Sequence, residues 1–332
     1  MFTSFDNTGL LKVLNFLKTH ESEYLSGQDL SDVLKISRVA VWKHVKKIRS
    51  LGYKIESKQK RGYKFVNTTD KLLPWEISKK LKTNFIGKRI YYFDEIDSTQ
   101  NFALNISPQN IENGTIVLAE KQVNGIGRLN RKWHSPKGGI WFSVIILPEF
   151  EISDATIIPI ASSLALCKTI EKIHGVSSKV KWPNDITING KKVAGMLVDV
   201  TIQANKIEKI VLGIGINFKI DTSKIEKKIK NTQNYYGITS LVSSQSKIKQ
   251  IELFTEFLLE LEKVIQDLTN GKKDKIVKKW SCHTDIFGKQ ISIKTNKGKI
   301  TGIATKIDLD GALIIKTNSN SKKIFVGDVV IE

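Results

Sequence analysis

Apolar residues recur at helical spacing near the start of the chain and at strand spacing through its middle and end. Leu10, Val13, Leu14 and Leu17 fall three and four apart, which predicts an amphipathic first helix. Ser26 is placed to cap a second helix that reaches Leu34, and Lys35-Ile36-Ser37 reads as a short turn. Ser37 can then cap a third helix over 38–51, stopped by Gly52. On it Val41, Val45 and Ile48 share one face, while Lys43, Lys46, Lys47 and Arg49 lie largely off it. Stretches 53–56 and 62–66 flank a polar turn holding Lys58, Lys60 and Arg61, so a small hairpin follows the helices. Residues 67–74, with Asn67-Thr68-Thr69-Asp70 and Pro74, read as a linker.

Beyond the linker, strand-like stretches at 89–93, 115–119, 140–147, 179–182, 185–188, 193–202 and 207–214 alternate with helical ones near 98–105, 155–172 and 248–270. Stretches 193–202 and 207–214 flank a short polar turn and predict an antiparallel hairpin, so the expectation is a mixed sheet backed by helices. Residues 219–247 carry little core pattern. After Trp280, short strands at 290–294, 299–306, 312–317 and 322–326, punctuated by turns at 296–298 and 308–311, outline a small β-barrel.

At 332 residues the chain can hold two or three domains with a sizeable core. Cys167 and Cys282 stand far apart, which excludes a disulfide framework and points to a reducing compartment. The five histidines are scattered, so no protein-ligated transition metal is expected. Asp6 precedes any apolar run and no basic segment opens the chain, which argues against a signal peptide, and no apolar stretch reads as a membrane span. A cytoplasmic protein is the expectation. The formal charge of +20 invites a nucleic-acid partner, but the basic excess is mostly lysine and only modestly denser over the first 70 residues.

The densest candidate chemistry is the run leaving the strand at 115–118, where Gly125, Gly127, Arg128 and Arg131 share seven residues. The glycines can take positive φ and bring backbone N–H groups close to an anion, and the arginines add bidentate, permanently charged donors. By itself such a loop reads equally well as a solvated basic turn. Downstream stand Lys181-Trp182-Pro183-Asn184-Asp185, then Lys192-Val193-Ala194-Gly195, then Gly213-Ile214-Gly215-Ile216-Asn217. Together, and in this order, the four motifs resemble the biotin protein ligases over roughly residues 90–332. The N-terminal pattern of helices and hairpin resembles a winged helix-turn-helix, as in the subgroup that doubles as the biotin operon repressor.

The resemblance implies an α+β chain: a winged helix-turn-helix over 1–66, a catalytic domain over 67–284 with a mixed sheet similar to class II aminoacyl-tRNA synthetases, and an SH3-like barrel over 285–332. It implies that biotin and ATP, with Mg²⁺, yield biotinyl-5′-adenylate and pyrophosphate, and that the biotinyl group passes to a lysine of a biotin carboxyl carrier protein. Ser98 and Thr99 match hydroxyls that contact the ureido ring, although Ser98 also suits a helix cap. Gln122 matches an amide contact to the same ring, and Gly125 and Gly127 the loop around biotin. Arg128 matches the arginine that closes over the adenylate phosphate, and Lys192 the lysine that reaches carboxyl and phosphate oxygens. Arg131, Trp133, Asn184 and Asn217 are expected near ATP or the adenylate, and Asp185 near phosphate, Mg²⁺ or the incoming lysine. Trp133 and Trp141 either wall the site or belong to the core. Ile126 departs from the arginine of many relatives, and Asn130 replaces a third glycine but tolerates left-handed geometry.

On the third helix, Arg38, Val39, Trp42 and Lys43 are the expected base-facing residues, with Lys46, Lys58 and Lys60 near phosphate; Trp42 reads equally as core. Segment 219–247 resembles the family's adenylate-covering loop, or is an ordinary surface loop. Operator DNA and a homodimer of the adenylate-bound form are the further partners implied. A ligase without DNA binding, a biotin sensor without transfer, and a lipoate ligase remain the alternatives.

Overall fold

The computed structural model describes residues 2–3, 9–148, 150–232, 235–243, 245–246, 248–295, 298–318 and 320–331. Asn296 and Lys297 of the expected turn, and Glu332, lie outside the described residues. The chain forms two compact units, Phe5–Leu73, and Met1–Ser4 together with Pro74–Glu332.

In the smaller unit, helices α1 (Gly9–Thr19), α2 (Gly27–Leu34) and α3 (Arg38–Ser50) pack through Leu14, Leu17, Leu30, Val41, Val45 and Ile48, all buried. Ser26 closes a capping box: its Oγ accepts from the Asp29 N–H at 3.0 Å, and Asp29 accepts from the Ser26 N–H at 3.0 Å. Lys35 ends α2 in the left-handed region at φ 53°, and Ser37 Oγ accepts from Ala40 N–H at 3.2 Å to start α3. Numbering strands from Phe2–Thr3 (β1) of the larger unit, the wing is β2 (Lys54–Lys58) paired with β3 (Gly62–Asn67), and Leu25 exchanges backbone hydrogen bonds with Tyr63. This is a winged helix-turn-helix.

After β1 the larger unit resumes with α4 (Pro74–Lys80), so the stretch read as linker ends in a helix whose first residue is Pro74. Then follow β4 (Ile90–Phe93), α5 (Thr99–Asn105), β5 (Thr115–Ala119), β6 (Ile140–Ile146), α6 (Ile158–His174), β7 (Lys179–Lys181), β8 (Asp185–Ile188), β9 (Lys191–Gln203) and β10 (Lys206–Ile216). They build one eight-stranded sheet in the order β1-β4-β5-β6-β10-β9-β8-β7. Only the β4–β5 pairing is parallel, so the sheet is mixed. Every residue of β6 is buried, because both faces of the sheet are covered. Phe142 packs edge-on against Phe254 and Phe257 of α8 (Gln250–Thr269). On the opposite face Ala103 of α5 packs on Val117, Ile145 and Val211.

Besides α4, two helices that the hydrophobic pattern does not announce are α7 (Ser223–Ile229) and α9 (Lys273–Ser281). Lysines dominate both, and only Ile225 in the first and Ile276, Val277 and Trp280 in the second are buried. The last module is a five-stranded antiparallel sheet, β11 (Gln290–Thr295), β12 (Gly298–Ile307), β13 (Leu313–Lys316), β14 (Ser321–Ile324) and β15 (Asp328–Ile331), ordered β14-β13-β12-β11-β15. The terminal strand β15, beyond the last strand expected from sequence, pairs with β11. Among the described residues no helix is long and apolar enough to cross a membrane.

Candidate active site

On the face of the sheet that carries α5, side chains disappear from three positions in a row. Gly213 and Gly215 of β10 lie opposite Ser143 and Trp141 of β6, and Gly215 also faces Gly195 of β9. A Cβ on Gly213 would sit 2.4 Å from Gln100 Oε1, and one on Gly215 2.4 Å from Trp133 Nε1. The repeated glycine therefore makes room for an amide and an indole on the floor of a cavity of about 630 Å³.

One end of the cavity is built of hydroxyls and amides. Ser98 caps α5, its Oγ accepting from the Asn101 N–H at 3.3 Å, and it also lines the cavity. Gln122 Oε1 accepts from Thr99 N–H at 2.8 Å and from its hydroxyl at 3.1 Å, and Gln122 Nε2 donates to Ser135 Oγ at 2.8 Å. Thr99 Oγ1 and Ser143 Oγ are 3.0 Å apart, and Ser143 donates to Gln100 Oε1 at 2.9 Å.

The other end is cationic. The loop after β5 folds back on itself, with Gln122 N–H donating to Ser135 O and Trp133 N–H donating to Gly125 O, so that Arg128 lies at its tip. The expectation that Gly125 and Gly127 supply positive φ is corrected here: Gly127 is extended at φ −113°, and the left-handed residues are Leu129 and Asn130, each at φ 56°. Gly125 is needed for a different reason, since a Cβ there would lie 2.5 Å from Trp133 O. Gly125 supports the loop without lining the cavity, whereas Gly127 and Ile126 line it.

Four cations converge. Arg128 Nη1 donates to Asn184 Oδ1 at 2.9 Å, and Asn184 is held by its own Nδ2 donating to Met196 O at 2.5 Å. Burial depresses the Arg128 pKa, partly offset by Asp328 and Asp185. Arg131 pairs with Asp328, whose hydrogen bond raises its pKa. Lys192 Nζ meets Asp185 Oδ1 at 2.7 Å and lies 5.0 Å from the Trp133 ring centre. Lys181 Nζ sits 3.3 Å from the ring centre of Tyr236, and its pKa is pushed down to about 8 by burial, with Asp185 opposing and Lys192 reinforcing the shift. Tyr236 donates to Asp185 Oδ2 at 2.6 Å; burial first, then that carboxylate, raises its pKa.

Asn217 is buried, its Nδ2 donating to Thr239 O at 3.2 Å, and it lines the cavity with Trp133. Trp141 is core, with its Nε1 donating to Pro136 O at 2.8 Å. Lys181, Tyr236, Asp328, Gln100 and Ser143 were absent from the sequence-based site. Lys181 opens the Lys-Trp-Pro-Asn-Asp block, Gln100 follows Ser98 and Thr99, and Tyr236 lies in the segment likened to an adenylate-covering loop, so these three could have been found; Asp328 and Ser143 are joined to the site only by folding. Among the described residues no group of three or more His, Cys, Asp or Glu is placed to hold a metal ion.

In the smaller unit, Arg38, Val39, Trp42, Lys43 and Lys46 are exposed along α3. Trp42 is 52% exposed, which removes it from the core, and Lys46 Nζ lies 5.2 Å from its ring centre. In the wing Lys58 is 5.1 Å from the Tyr24 ring centre, and Lys60 is exposed beside it.

Residues 92–217 match the Biotin/lipoate A/B protein ligase family, residues 10–64 an HTH domain, and residues 286–331 the Biotin protein ligase C terminal domain. The chain is 34% identical over 310 residues to the bifunctional ligase/repressor BirA of Bacillus subtilis (strain 168), covering 93% of this chain and 94% of that one. It is 25% identical over 325 residues to the protein of the same name from Escherichia coli (strain K12), covering 98% and 97%. Among solved structures, the biotin protein ligase from Aquifex aeolicus in complex with biotin and ATP superimposes with a TM-score of 0.61 at 25% identity, over 73% of this chain and 98% of that one. With its sheet, its glycine-floored cavity and a relative matched across nearly its whole length, the chain belongs to the biotin protein ligase family, in the group of bifunctional ligase/repressors.

Proposed function

We propose that this chain is an ATP-dependent biotin protein ligase that forms biotinyl-5′-adenylate, transfers biotin to a lysine of a biotin carboxyl carrier protein, and acts through its first unit as a biotin-responsive repressor. The supporting observation is the pairing, within one cavity, of a hydroxyl–amide end suited to a cyclic urea with a cationic end suited to phosphate. The dithiolane of lipoate offers no hydrogen-bond partners for Thr99 and Gln122, so desolvating them would cost binding energy. That favours biotin over lipoate.

In this reading the urea lies against Ser98, Thr99 and Gln122, and the carboxylate points at Lys192. A carboxylate oxygen attacks the α-phosphorus and pyrophosphate leaves. No general base is required, because the attacking oxygen is already anionic and the barrier is alignment and charge repulsion. Arg128, Arg131, Lys192 and Lys181 neutralise that repulsion. Their present partners, Asn184, Asp328, Asp185 and Tyr236, are groups that phosphate oxygens can replace. In transfer, the carrier amine attacks the acyl carbon, AMP departs and the amine loses a proton; Asp185, once released by Lys192, is the carboxylate available to receive it. Asp185 and Asp328 fit Mg²⁺ brought by the nucleotide, an ion usually held by one or two carboxylates plus phosphates. When bound it would supply further charge neutralisation. Trp133 and Asn217 take the adenylate side. Arg38, Val39, Trp42 and Lys43 face bases, and Lys46, Lys58 and Lys60 face phosphate. Functional boundaries at 1–66, 67–284 and 285–332 and an adenylate-bound homodimer belong to the same proposal.

Full-length protein incubated with biotin, ATP and an apo carrier domain is expected to release pyrophosphate and to add the mass of one biotinyl group to one carrier lysine. Absence of both would remove the ligase reading. A gel shift with the chain's own upstream DNA, expected to tighten when biotin and ATP are present, tests the repressor half; no binding under either condition would remove it.

A further inference from the structure

Behind the urea-facing residues runs a hydrogen-bond chain whose far end lies outside the cavity. Gln100 is 4% exposed, and its Nε2 lies 2.8 Å from Asp199 Oδ2 and 3.0 Å from Val211 O. An ionised carboxylate and a carbonyl both only accept, so the amide has one possible orientation, nitrogen toward Asp199 and oxygen toward Ser143. Gln100 Oε1 only accepts, so Ser143 must spend its single hydroxyl proton on it, across 2.9 Å. Ser143 Oγ therefore turns a lone pair toward Thr99 Oγ1, 3.0 Å away. Gln122 Oε1, fixed as an acceptor by the Thr99 N–H, also faces that hydroxyl at 3.1 Å. Whichever of the two takes its proton, Thr99 has none left for the cavity and presents lone pairs. Gln122, with its oxygen committed to Thr99 and one N–H committed to Ser135, keeps a second N–H free to donate.

We infer that Asp199, through Gln100 and Ser143, acts with Gln122 to set the donor–acceptor polarity of the pocket, and that these are specificity-determining positioning residues for a ligand presenting an N–H beside a C=O. The inference rests on the ligase reading and deepens it, by naming why a cyclic urea is selected over a cyclic carbamate of the same shape. Thr99 accepts from the ureido N–H, while Gln122 and the Ser98 hydroxyl donate to its carbonyl. A ring oxygen in place of that N–H sets two acceptors face to face. Buried sites that pair a ligand N–H reject analogues lacking it far better than apolar pockets reject a change of size. Gly213 is part of the device, since any side chain there would displace the Gln100 amide. Asp199 is half-buried on β9 and does not itself line the cavity, so its influence on the ligand acts through its hydrogen bond to Gln100.

The test compares biotin with the two cyclic carbamates in which one or the other ureido N–H is replaced by oxygen. Binding to full-length protein is measured by calorimetry, and adenylate formation by pyrophosphate release. Wild type is expected to prefer biotin strongly over at least one carbamate. Ser143→Ala removes one of the two acceptors that hold the Thr99 proton, leaving only Gln122 Oε1 at 3.1 Å, and should raise KM for biotin about tenfold, leave kcat and the KM for ATP in place, and narrow the biotin-to-carbamate ratio at least tenfold. Asp199→Ala should narrow the ratio less, because Val211 O still holds Gln100, and Asp199→Asn should keep it by offering its carbonyl to Gln100. Asp199→Ala removes a half-buried group and guards against loss of folding in the buried Ser143 variant. Biotin binding with an unmoved ratio in both alanine variants would overturn the relay alone. Failure of wild type to bind biotin at all would sink the ligase reading and the relay with it.

Discussion

The two ends of the cavity solve recognition differently. At the hydroxyl–amide end, Ser98, Thr99, Gln100 and Ser143 are each at most 4% exposed and bonded to one another or to backbone across adjacent elements. At the cationic end, Arg131 and Lys192 keep side-chain exposures of 55% and 26%, and each pairs with another side chain. A neutral ring gains little from charge and must meet donors and acceptors already oriented, because an unpaired buried group costs about 1–3 kcal/mol. An anion can be recognised by exchange, displacing carboxylates that keep the cations neutral until it arrives. Rigidity at one end and replaceable partners at the other follow from the two halves of one ligand.

This contrast can be broken most severely at Lys192. Lys192→Ala removes a cation and leaves Asp185 without its ion partner, and is expected to slow adenylate formation by roughly 10²–10³-fold, measured as pyrophosphate release, and to weaken biotin binding by a smaller factor, since the carboxylate loses its cation while the urea contacts remain. A rate within a few-fold of wild type would show that this end does not act through charge. Arg128→Gly is expected to shorten adenylate residence by roughly 10–100-fold, the worth of a charged hydrogen bond, visible as diffuse labelling of lysines on a bystander protein. Confinement of label to the carrier would contradict that.

A smaller effect sharpens the comparison through pH. Burial depresses the Lys181 pKa to about 8, so the charge is present below that value and lost above it. The kcat/KM for ATP should therefore be flat below about pH 8 and fall severalfold above it, while kcat/KM for biotin does not share the step. In Lys181→Met the step should vanish, and its persistence would assign it elsewhere. Smallest is Tyr236→Phe, which removes one hydrogen bond to Asp185 and keeps the ring over Lys181. Roughly a two- to tenfold loss in adenylate formation is expected, and an unchanged rate would make the hydroxyl dispensable.

Much of this architecture was legible beforehand. The 3.6-residue period around Leu10 to Leu17, the capping serines Ser26 and Ser37 and the valines of α3 specify the winged unit locally, and the hairpin of β9 and β10 announces itself by two apolar runs and a polar turn. Helices α7 and α9 were not legible, because lysines and other polar residues occupy most of their positions and too few apolar residues remain to show a period. In the site, the glycines of the loop were recognised but their purpose was not. Positive φ falls on Leu129 and Asn130, and Gly125 serves close packing against Trp133 O. Such contacts join residues that are apart in the chain, and no local pattern reports them.

The sequence by itself determined the chain's order of modules, the residue types at the site and the charge they carry, since propensity, capping and motif spacing are properties of neighbouring residues. Only the tertiary structure decided that Tyr236 closes on Lys181, that Asp328 from the final strand neutralises Arg131, and that Asp199 orients Gln100. Each of these depends on direction and on burial at close range. Both are set by the packing of the sheet against its helices, and they cannot be read from one residue and its neighbours.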